Sequence, residues 1–379
     1  MVSVSNDLVT DQRVAKVCTT LTDMGYDVCL IGRKLPHSLP ITQKPYKQIR
    51  LKLLFRKGPL FYACLNIRLF FKLLFSPSDI LHANDLDTLP ANFLVSIIKR
   101  KPIVYDSHEY FTGVPELIHN HFARRSWEQI ERWIVPKLKY CLTVNDSIAN
   151  LYANQYHIHF HVLRNVPQKW AKISDCKRAE LGLPANRFLI LLQGNGINIH
   201  RGSEELMQTM QQLDERFLLL IIGNGDVIPY LKKEVEEKQL QNKVQFIGRM
   251  PYEQLKAYTI CCDLGVTLDK DNNLNYRYSL PNKIFDYLQA GLPVLSSPLP
   301  ELTNIIQTYK VGWITENVTP GSIAKKIIYI FENPDEYQTC RENATIASEI
   351  LIWEKEKKTL ESLYMQIEKE KPTFVANKK

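Results

Sequence analysis

Residues 279–294, with the sequence SLPNKIFDYLQAGLPV, carry polar groups in a pattern that could bind a charged ligand. The segment predicts a short helix, because Pro281 suits a first helical turn and Gly291 suits the left-handed position after the last turn. Amide groups at the helix start and the nearby Lys283 could bind a diphosphate, while the Asp286 carboxylate could accept sugar hydroxyls. An ordinary amphipathic surface helix would show the same polar stripe. At helical spacing, the predicted stripe contains Ser279, Asn282, Asp286 and Gln289.

Residues 193–202, with the sequence QGNGINIHRG, form a second candidate anion site. The segment leaves a predicted strand and opens a predicted helix, so the backbone N–H groups around Gly194 and Gly196 could contact a diphosphate. The guanidinium of Arg201 would add a positive charge and paired donors. A simple turn before a helix with acids in its first turn, Glu204 and Glu205, explains the pattern equally well.

A third candidate site is the sequence Asp106-Ser-His108-Glu109, which follows an apolar run. A histidine beside an acid can be charged near neutral pH and can act as a hydrogen-bond partner or a proton shuttle. Asn84 and Asp85 follow another predicted strand, and parallel α/β sheets bind ligands at the carboxyl ends of their strands. A histidine with a purely structural role at a strand exit is the alternative.

Two other patterns point to cofactors and fit less well. Gly194-x-Gly196 and Gly223-x-Gly225 each supply half of a dinucleotide-binding fingerprint, but both lack the third glycine, which argues against NAD. His157, His159 and His161 would share one face of a strand, but a second class of metal ligand is missing nearby. We therefore expect no metal site, and interpret the three histidines as the wet face of an edge strand.

Short apolar runs alternate with amphipathic stretches along the chain, which predicts an α/β fold with helices on both faces of parallel sheets. Two such series, joined near residues 165–175, predict two Rossmann-like domains facing a cleft. We assign residues 1–165 to the first domain, 166–345 to the second, and 346–379 to a C-terminal helix and frayed tail, with one helix over Ile346–Glu370. The predicted strands are Asp27–Ile31, Asp79–His82, Pro102–Asp106, Tyr140–Val144, His159–Leu163, Phe188–Gln193, Phe217–Ile222, Val244–Ile247, Leu264–Thr267 and Pro293–Ser296.

The start of the chain leaves little room for a strand before Asp27–Ile31. Met1 leads almost at once to Ser5-Asn-Asp7, so we expect a preceding strand to be shortened or absent, with a chain start that is late.

The composition is that of an ordinary globular protein of 379 residues, with 45% hydrophobic and 23% charged residues. The net charge of +8 suggests affinity for phosphates or an anionic membrane rather than for nucleic acid, because no basic tract is interleaved with stacking aromatics. The eight cysteines form no C-x-x-C pair and are expected to be buried free thiols. Without a signal peptide or a long apolar run, we expect a cytoplasmic protein.

Residues 46–75 stand out because they contain many cations and aromatic rings but no acid. This composition is typical of a surface that lies at a membrane interface, with cations over anionic headgroups and rings at the acyl boundary. A core helix whose cations extend to solvent is the alternative. In the first case the protein would be peripheral on the inner face of the plasma membrane.

The segment 279–294 resembles the donor-binding motif of the retaining, nucleotide-sugar-dependent glycosyltransferases called group 1. The second acid of that motif corresponds to Asp286, and Ala290-Gly291-Leu292-Pro293-Val294 follows it as expected. The first acid is replaced by Tyr278, as in a branch of the family that carries Ser-x-Pro-x-Lys before the second acid. Arg201 matches a basic residue that contacts the donor phosphates, whereas Asn195 replaces a second one.

The resemblance implies a GT-B architecture, with an acceptor domain first, a donor domain second and a C-terminal helix that returns to the first domain. It implies transfer of a sugar to a bacterial cell-surface glycan or a lipid-linked acceptor, without metal or other cofactor. His108 would be catalytic and would face the reacting sugar, together with Asp286. Asn84, Asp85 and Glu109 would lie on the acceptor side, with Glu109 orienting His108 or capping Pro115–His119. Donor-binding residues would be Gly194, Gly196, Arg201, Ser279, Asn282, Lys283 and Asp286.

Three alternatives remain open. A sugar-nucleotide epimerase has the same architecture and needs no acceptor. A dehydrogenase would need NAD, for which the glycine pattern is incomplete. A degenerate member that binds a nucleotide without turnover would explain why Tyr278 and Asn195 replace usual functional residues.

Overall fold

A computed structural model describes residues 1–9, 11–114, 117, 120–171 and 177–370. The chain forms two compact units, Met1–Asn165 with the chain from Glu356 on, and Val166–Lys355. Residues 346–355 thus group with the second unit, whereas the sequence analysis separated them from it. The segment 115–119 that Glu109 was expected to cap (except residue 117), part of the predicted linker at 165–175 and the tail 371–379 lie outside the described residues.

The first unit contains a sheet of seven parallel strands in the order β3-β2-β1-β4-β5-β6-β7. Its strands are β1 Val2–Ser3, β2 Cys29–Arg33, β3 Lys47–Leu51, β4 Leu81–Asn84, β5 Ile103–Ser107, β6 Tyr140–Thr143 and β7 His161–Val162. Its helices up to residue 165 are α1 Gln12–Asp23, α2 Gly58–Leu74, α3 Leu89–Lys99, α4 His121–Ile134 and α5 Asp146–Tyr156.

The second unit contains six parallel strands in the order β10-β9-β8-β11-β12-β13. The strands are β8 Phe188–Gly194, β9 Phe217–Gly223, β10 Val244–Gly248, β11 Leu264–Thr267, β12 Val294–Ser296 and β13 Gly312–Ile314. The helices are α6 Ser203–Gln212, α7 Ile228–Glu237, α8 Tyr252–Ile260, α9 Leu274–Arg277, α10 Lys283–Gln289, α11 Pro300–Tyr309, α12 Pro320–Glu332 and α13 Pro334–Ser348. A last helix, α14 Trp353–Glu370, ends the described chain.

The prediction of an α/β fold with two parallel sheets is confirmed, and every predicted strand is present with ends within two residues. Central strands were easy to recognise because strands buried on both faces are continuous apolar runs, as in the residues FLLLIIG of β9. The expectation of a shortened or absent first strand is confirmed, since β1 has only two residues. Strands β3 and β13 were not predicted, and β3 is a half-exposed edge strand with the sequence KQIRL.

Several local predictions were wrong. One helix over Ile346–Glu370 is in fact the end of α13 and the whole of α14, separated by residues 349–352. His157 ends α5 with a left-handed backbone, so the three histidines do not share a strand face. Cys261 is disulfide-bonded, so the expectation of eight free thiols fails there. Free cysteines among the described residues are Cys18, Cys29, Cys64, Cys141, Cys262 and Cys340.

Helix α4 buries a carboxyl group in the core of the first unit. Glu131 is fully buried, between the buried Trp127 and Ile134 on the same helix face. Burial raises the pKa of Glu131 to about 7, because a buried carboxylate loses its hydration. The folded state therefore binds a proton that the unfolded chain, with an ordinary carboxyl pKa, has already released.

We expect Glu131→Gln to remove a pH-dependent loss of stability. Because the pKa of Glu131 is raised in the folded state, its contribution to stability is fully present below the ordinary glutamate pKa. That contribution is lost as the pH rises through about 7. The gain of the variant over wild type in unfolding free energy should grow by about 2 kcal/mol between about pH 5.5 and about pH 8.5, measured by urea unfolding. Glu128→Gln, a more exposed change on the same helix, is the control. Parallel pH profiles for Glu131→Gln and wild type would contradict the prediction.

Candidate functional site

The first cluster of polar groups lies where β4 and β5 end in the first unit. The ring Nε2 of His108 donates to Oδ1 of Asn84 at 3.1 Å, and the backbone N–H of His108 donates to Oδ1 of Asp85 at 2.8 Å. The other ring nitrogen, Nδ1, lies 3.3 Å from Oδ2 of Asp85. The structure thus brings together three residues that the sequence analysis selected from two separate strand exits.

Asp85 has a left-handed backbone with a φ of 58°. That conformation is uncommon for residues other than glycine, and it occurs where the surrounding structure enforces it. The backbone N–H of Asp85 donates to the carbonyl of Asp106 at 2.9 Å, which fixes the turn to the neighbouring strand. The turn directs both oxygens of the Asp85 carboxylate toward His108.

A buried ion pair supports this cluster. Arg13 on α1 donates to both oxygens of Asp106, from Nη2 at 2.6 Å and from Nε at 3.1 Å. Both side chains are almost completely buried. Burial would raise the pKa of Asp106, but Arg13 and the His108 cation outweigh it and hold the pKa of that carboxyl well below its usual range.

These charges determine the protonation state of His108. Burial alone would lower the pKa of His108, but the negative charges of Asp85 and Asp106 outweigh it and raise the pKa to about 9. The ring is therefore a cation at neutral pH, as the sequence analysis considered, and both ring nitrogens are donors. An imidazolium can stabilise negative charge on a substrate oxygen, and it cannot accept a proton.

A second histidine connects the cluster to the C-terminal helix. Nδ1 of His82 lies 2.8 Å from the hydroxyl of Tyr364 on α14, and Nε2 lies 3.9 Å from Oδ2 of Asp106. His82 is buried, and burial lowers its pKa. Tyr364, His82, Asp106 and His108 thus form a continuous series of polar contacts inside the first unit.

In the second unit, Asp286 on α10 is oriented by two hydrogen bonds. The hydroxyl of Tyr252 donates to Oδ1 at 2.6 Å, and Nε2 of Gln193 donates to Oδ2 at 3.2 Å. Gln193 is held in turn by Thr259, whose hydroxyl donates to Oε1 at 2.9 Å. The indole N–H of Trp170 donates to Tyr252 at 3.2 Å. The carboxylate is therefore fixed by residues from β8 and α8.

A group of two cations and one acid lies beside the end of β11. Asp269 is fully buried, and Nη1 of Arg201 lies 3.5 Å from its Oδ1. Burial lowers the pKa of the Lys283 ammonium; Asp269 opposes this shift, and the nearby Arg201 adds to it. The guanidinium of Arg201 also stacks 4.7 Å from the ring centre of Tyr276. Two basic side chains thus lie around one buried carboxylate, and a bound anion would favour the charged form of Lys283.

The remaining predicted donor residues differ in their surroundings. Helix α10 begins at Lys283, so Ser279 precedes it and donates to the carbonyl of Tyr276 at 2.9 Å. Asn282 is exposed at the helix start and makes no capping hydrogen bond with its side chain. The predicted helix face was wrong for Ser279, which precedes the helix, whereas the carbonyl of Asn282 accepts from the backbone N–H of Asp286 at 3.4 Å, one turn into the helix. Gln289, the fourth residue of that stripe, accepts from the backbone N–H of Trp170 and donates to the carbonyl of Ser348.

The glycines of the second unit have two kinds of surroundings. Gly223 is required by packing, because a Cβ there would lie 1.8 Å from the carbonyl oxygen of Gly194. Gly202 has a φ of 75° and would place a Cβ 2.2 Å from the carbonyl oxygen of Leu268. At Gly194 and Gly196 a Cβ would meet no described atom closer than 3.9 Å. Their loop therefore has an open surface, which a ligand could approach.

Within the described residues, no group of three histidine, cysteine, aspartate or glutamate side chains could hold a metal ion. Glu109 lines a cavity with Asp85, and its carbonyl accepts from the hydroxyl of Ser107 at 2.8 Å. The contacts described above for His108 come from Asn84, Asp85 and Asp106.

Sequence reasoning missed the residues that support the two groups. Arg13, Tyr252, Asp269 and Tyr364 were not selected, although each contacts a selected residue or its partner. Asp269 alone gave a signal, as an acid just after a predicted strand. The others lie within helices, and only the three-dimensional structure brings them to the strand ends.

The two sheets, with charged groups at the carboxyl ends of their strands, define a two-unit protein of the Rossmann-like α/β class. The sequence model "Glycosyl transferases group 1" matches residues 175–346, and "Glycosyltransferase Family 4" matches residues 11–167. The chain belongs to the group 1 glycosyltransferases of GT-B architecture.

Individual relatives match less of the chain. The amylovoran biosynthesis glycosyltransferase AmsK of Erwinia amylovora is 25% identical over 149 residues, which are 39% of this chain and 35% of AmsK. The aligned part spans about a third of the length of the curated relatives that it matches. Solved structures share the fold over the whole chain. Sucrose-phosphate synthase from Thermosynechococcus elongatus has a TM-score of 0.79 at 19% identity, covering 97% of this chain and 98% of that chain. Anabaena HepE in complex with UDP-glucose has a TM-score of 0.73 at 15% identity, with coverages of 97% and 98%.

We expect Asp85→Asn to lower the pKa of His108 from about 9 by one unit or more, because it removes one of the two carboxylates that stabilise the cation. The measurement is an NMR pH titration of the histidine ring, with the signal assigned by its loss in His108→Gln. Asp79→Asn removes an exposed carboxylate paired with Lys101 and serves as control. An unchanged pKa in Asp85→Asn would show that Asp85 does not hold the charge of His108.

Proposed function

We propose that this protein transfers a sugar from a nucleotide diphosphate-sugar to a hydroxyl of a cell-surface glycan or lipid-linked acceptor, with retention at the anomeric carbon. The observation that carries the proposal is the group of Arg201, Lys283 and Asp269, in which Lys283 lies one helical turn from the fixed carboxylate of Asp286. A nucleotide diphosphate-sugar needs basic groups for its phosphates and an oriented hydrogen-bond acceptor for its sugar hydroxyls.

The donor would bind to the second unit. Arg201 and Lys283 would contact the diphosphate, with the open loop of Gly194 and Gly196 supplying backbone N–H groups. Asp286 would accept ribose hydroxyls, since Tyr252 and Gln193 orient its carboxylate. Ser279 and Asn282 precede Lys283 and would contact the same ligand. UDP is the first nucleotide to test, because HepE, which shares the fold, has been solved with UDP-glucose.

In the proposed reaction, the bond between the anomeric carbon and the diphosphate oxygen breaks, and the acceptor oxygen bonds to the same face of the sugar. The proton of the acceptor hydroxyl passes to the departing diphosphate oxygen. Negative charge then develops on the diphosphate, and two cations fixed in advance stabilise it without reorganisation. The proposal therefore requires neither a metal ion nor another cofactor.

The acceptor would bind to the first unit, where His108 is the catalytic residue. As an imidazolium, it can donate a hydrogen bond to a substrate oxygen that becomes more negative. Asn84, Asp85 and Glu109 would lie on the acceptor side of this cation. The match to AmsK, which is described as an enzyme of amylovoran biosynthesis, supports a bacterial polysaccharide pathway.

The test of the proposal is a thermal-shift panel with UDP, GDP, ADP, dTDP, CMP and NAD, with and without EDTA. We expect one nucleoside diphosphate to stabilise the wild type by about 3 kcal/mol at a concentration of about a hundred times its Kd, unchanged by EDTA. Arg201→Gln and Asp286→Asn should weaken binding at least about tenfold, because each removes a charge-assisted contact.

Arg216→Gln is the matched control for Arg201→Gln. Arg216 is an exposed arginine paired with Asp214 just before β9, at the opposite end of the strand from the donor group. Stabilisation by NAD alone would overturn the proposal, and so would equal binding by Arg201→Gln and Arg216→Gln.

Peripheral membrane association is also proposed, through β3 and α2. Helix α2 buries Phe61, Leu65, Leu69 and Leu73 against the unit and exposes a second apolar face. The alternative of a simple core helix therefore accounts for only half of its surface. Exposed apolar residues in the region are Leu54, Phe55, Leu60, Ile67, Phe71 and Phe75, with Phe75 80% exposed.

The cations and the neighbouring helix support the same surface. Arg56, Lys57 and Arg68 are exposed among these apolar side chains, and residues 46–75 contain no acid. Helix α3, which packs against α2, exposes Leu94, Ile97 and Ile98. Among the described helices, none has the length and apolar content needed to cross a bilayer. An interfacial contact with anionic lipid on the cytoplasmic leaflet is therefore the mode that we propose.

We expect the wild type to co-sediment with phosphatidylglycerol-containing vesicles at low salt, and less at high salt because ions screen the cations. The double variant Phe71→Ser, Phe75→Ser should bind about tenfold more weakly or worse, because two exposed rings no longer enter the interface. Ile346→Ser removes an exposed apolar residue from the second unit and serves as control. Absence of binding to anionic vesicles at low salt would remove the membrane proposal.

A further inference from the structure

The first unit contains a cavity of about 860 Å³, lined in part by Asp85 and Glu109, which the proposed function places on the acceptor side. Its walls are aromatic, with Phe61 and Tyr62 from α2, Trp127 from α4, and Phe111 between β5 and α4. The rings are already packed edge to face, since the centres of Tyr62 and Trp127 lie 5.0 Å apart and those of Phe111 and Trp127 lie 5.2 Å apart. The cavity is therefore preformed, and its size suits a small ligand.

The floor of the cavity is polar. Asp87 is only 6% exposed, and its Oδ1 has no hydrogen-bond partner in the part of the chain that the structure describes. Arg33 also lines the cavity, stacks 4.6 Å from the ring centre of Phe61, and has an Nε that lacks a partner among the same residues. A buried acceptor without a partner is unfavourable unless a ligand supplies the donor. Asp85, which holds His108, lines the same floor.

Walls and floor together restrict the ligand. A wholly apolar ligand would leave Oδ1 of Asp87 and Nε of Arg33 without partners, whereas a wholly polar one would leave four aromatic rings against water. A sugar hydroxyl both donates and accepts hydrogen bonds, so it suits a floor that contains the acceptor Asp87 and the donor Arg33. Pro59 lines the cavity at the start of α2, and the next residue, Leu60, belongs to the exposed apolar face proposed for membrane contact.

We propose that this cavity binds the acceptor as a glycolipid, with a sugar hydroxyl donating to Asp87 and the first part of the apolar chain lying against Phe61, Tyr62, Phe111 and Trp127. This inference rests on the proposed transfer function and specifies its acceptor. Asp87 is thus a residue that determines acceptor specificity, and it takes no part in bond breaking.

The test is titration calorimetry with octyl and methyl glycosides of glucose, galactose, mannose and N-acetylglucosamine, below micelle-forming concentrations. We expect at least one octyl glycoside to bind saturably, at least about tenfold more tightly than its methyl counterpart because the walls bury the chain. Asp87→Leu keeps a similar volume, removes both oxygens and should weaken binding about tenfold. Ala63→Trp, which places a large ring in the cavity from α2, should also weaken it, whereas Ile346→Trp on the surface of the second unit should not.

Two results would overturn the inference: failure of every octyl glycoside to bind saturably, or equal affinity of wild type, Asp87→Leu and Ala63→Trp. Melting curves of the variants show whether they are folded, and Ala63→Trp keeps the test valid if Asp87→Leu is not. Nucleoside diphosphate binding to the same preparations reports on the second unit. If the wild type binds a nucleoside diphosphate but no glycoside, the acceptor inference alone is refuted. If the wild type binds no nucleoside diphosphate, the proposed transfer function is refuted.

Discussion

The buried ion pair between Arg13 and Asp106 is the interaction on which the first unit depends. Neither charge could be buried alone, because removing one partner of such a pair leaves an unpaired charge in the core. The guanidinium also donates to the carbonyl of Leu163 at 2.6 Å, so one side chain joins α1, β5 and the residues after β7. By keeping Asp106 ionised, the pair provides part of the negative charge that keeps His108 cationic.

The two units balance charge in opposite ways. At the strand ends of the first unit, the carboxylates of Asp85, Asp87 and Asp106 face Arg13 and His108, so acceptors of hydrogen bonds prevail. In the second unit, Asp269 is the acid that faces both Arg201 and Lys283. A surface rich in acceptors suits sugar hydroxyls, and a cationic one suits a diphosphate. These local charges are the physical basis on which we propose that the acceptor binds to the first unit and the donor to the second.

The sequence predicted the architecture well because parallel strands buried on both faces are apolar runs that periodicity detects, as in β8 and β9. Strand exits also led to His108, Asn84, Asp85 and Arg201. Prediction failed where local signals were weak, as at the polar edge strand β3. It also failed where function depends on partners distant in sequence, since no local pattern links Arg13 to Asp106 or Tyr252 to Asp286.

The contact between Tyr364 and His82 has a consequence for biosynthesis. The residues of α14 that complete the first unit are translated after the whole second unit, so the emerging N-terminal chain lacks a helix of its own core until the second unit has been synthesised. Domains usually fold in order from the ribosome. Here the second unit is the first to be translated in full. The Tyr364 ring, which contacts His82, is translated only after it.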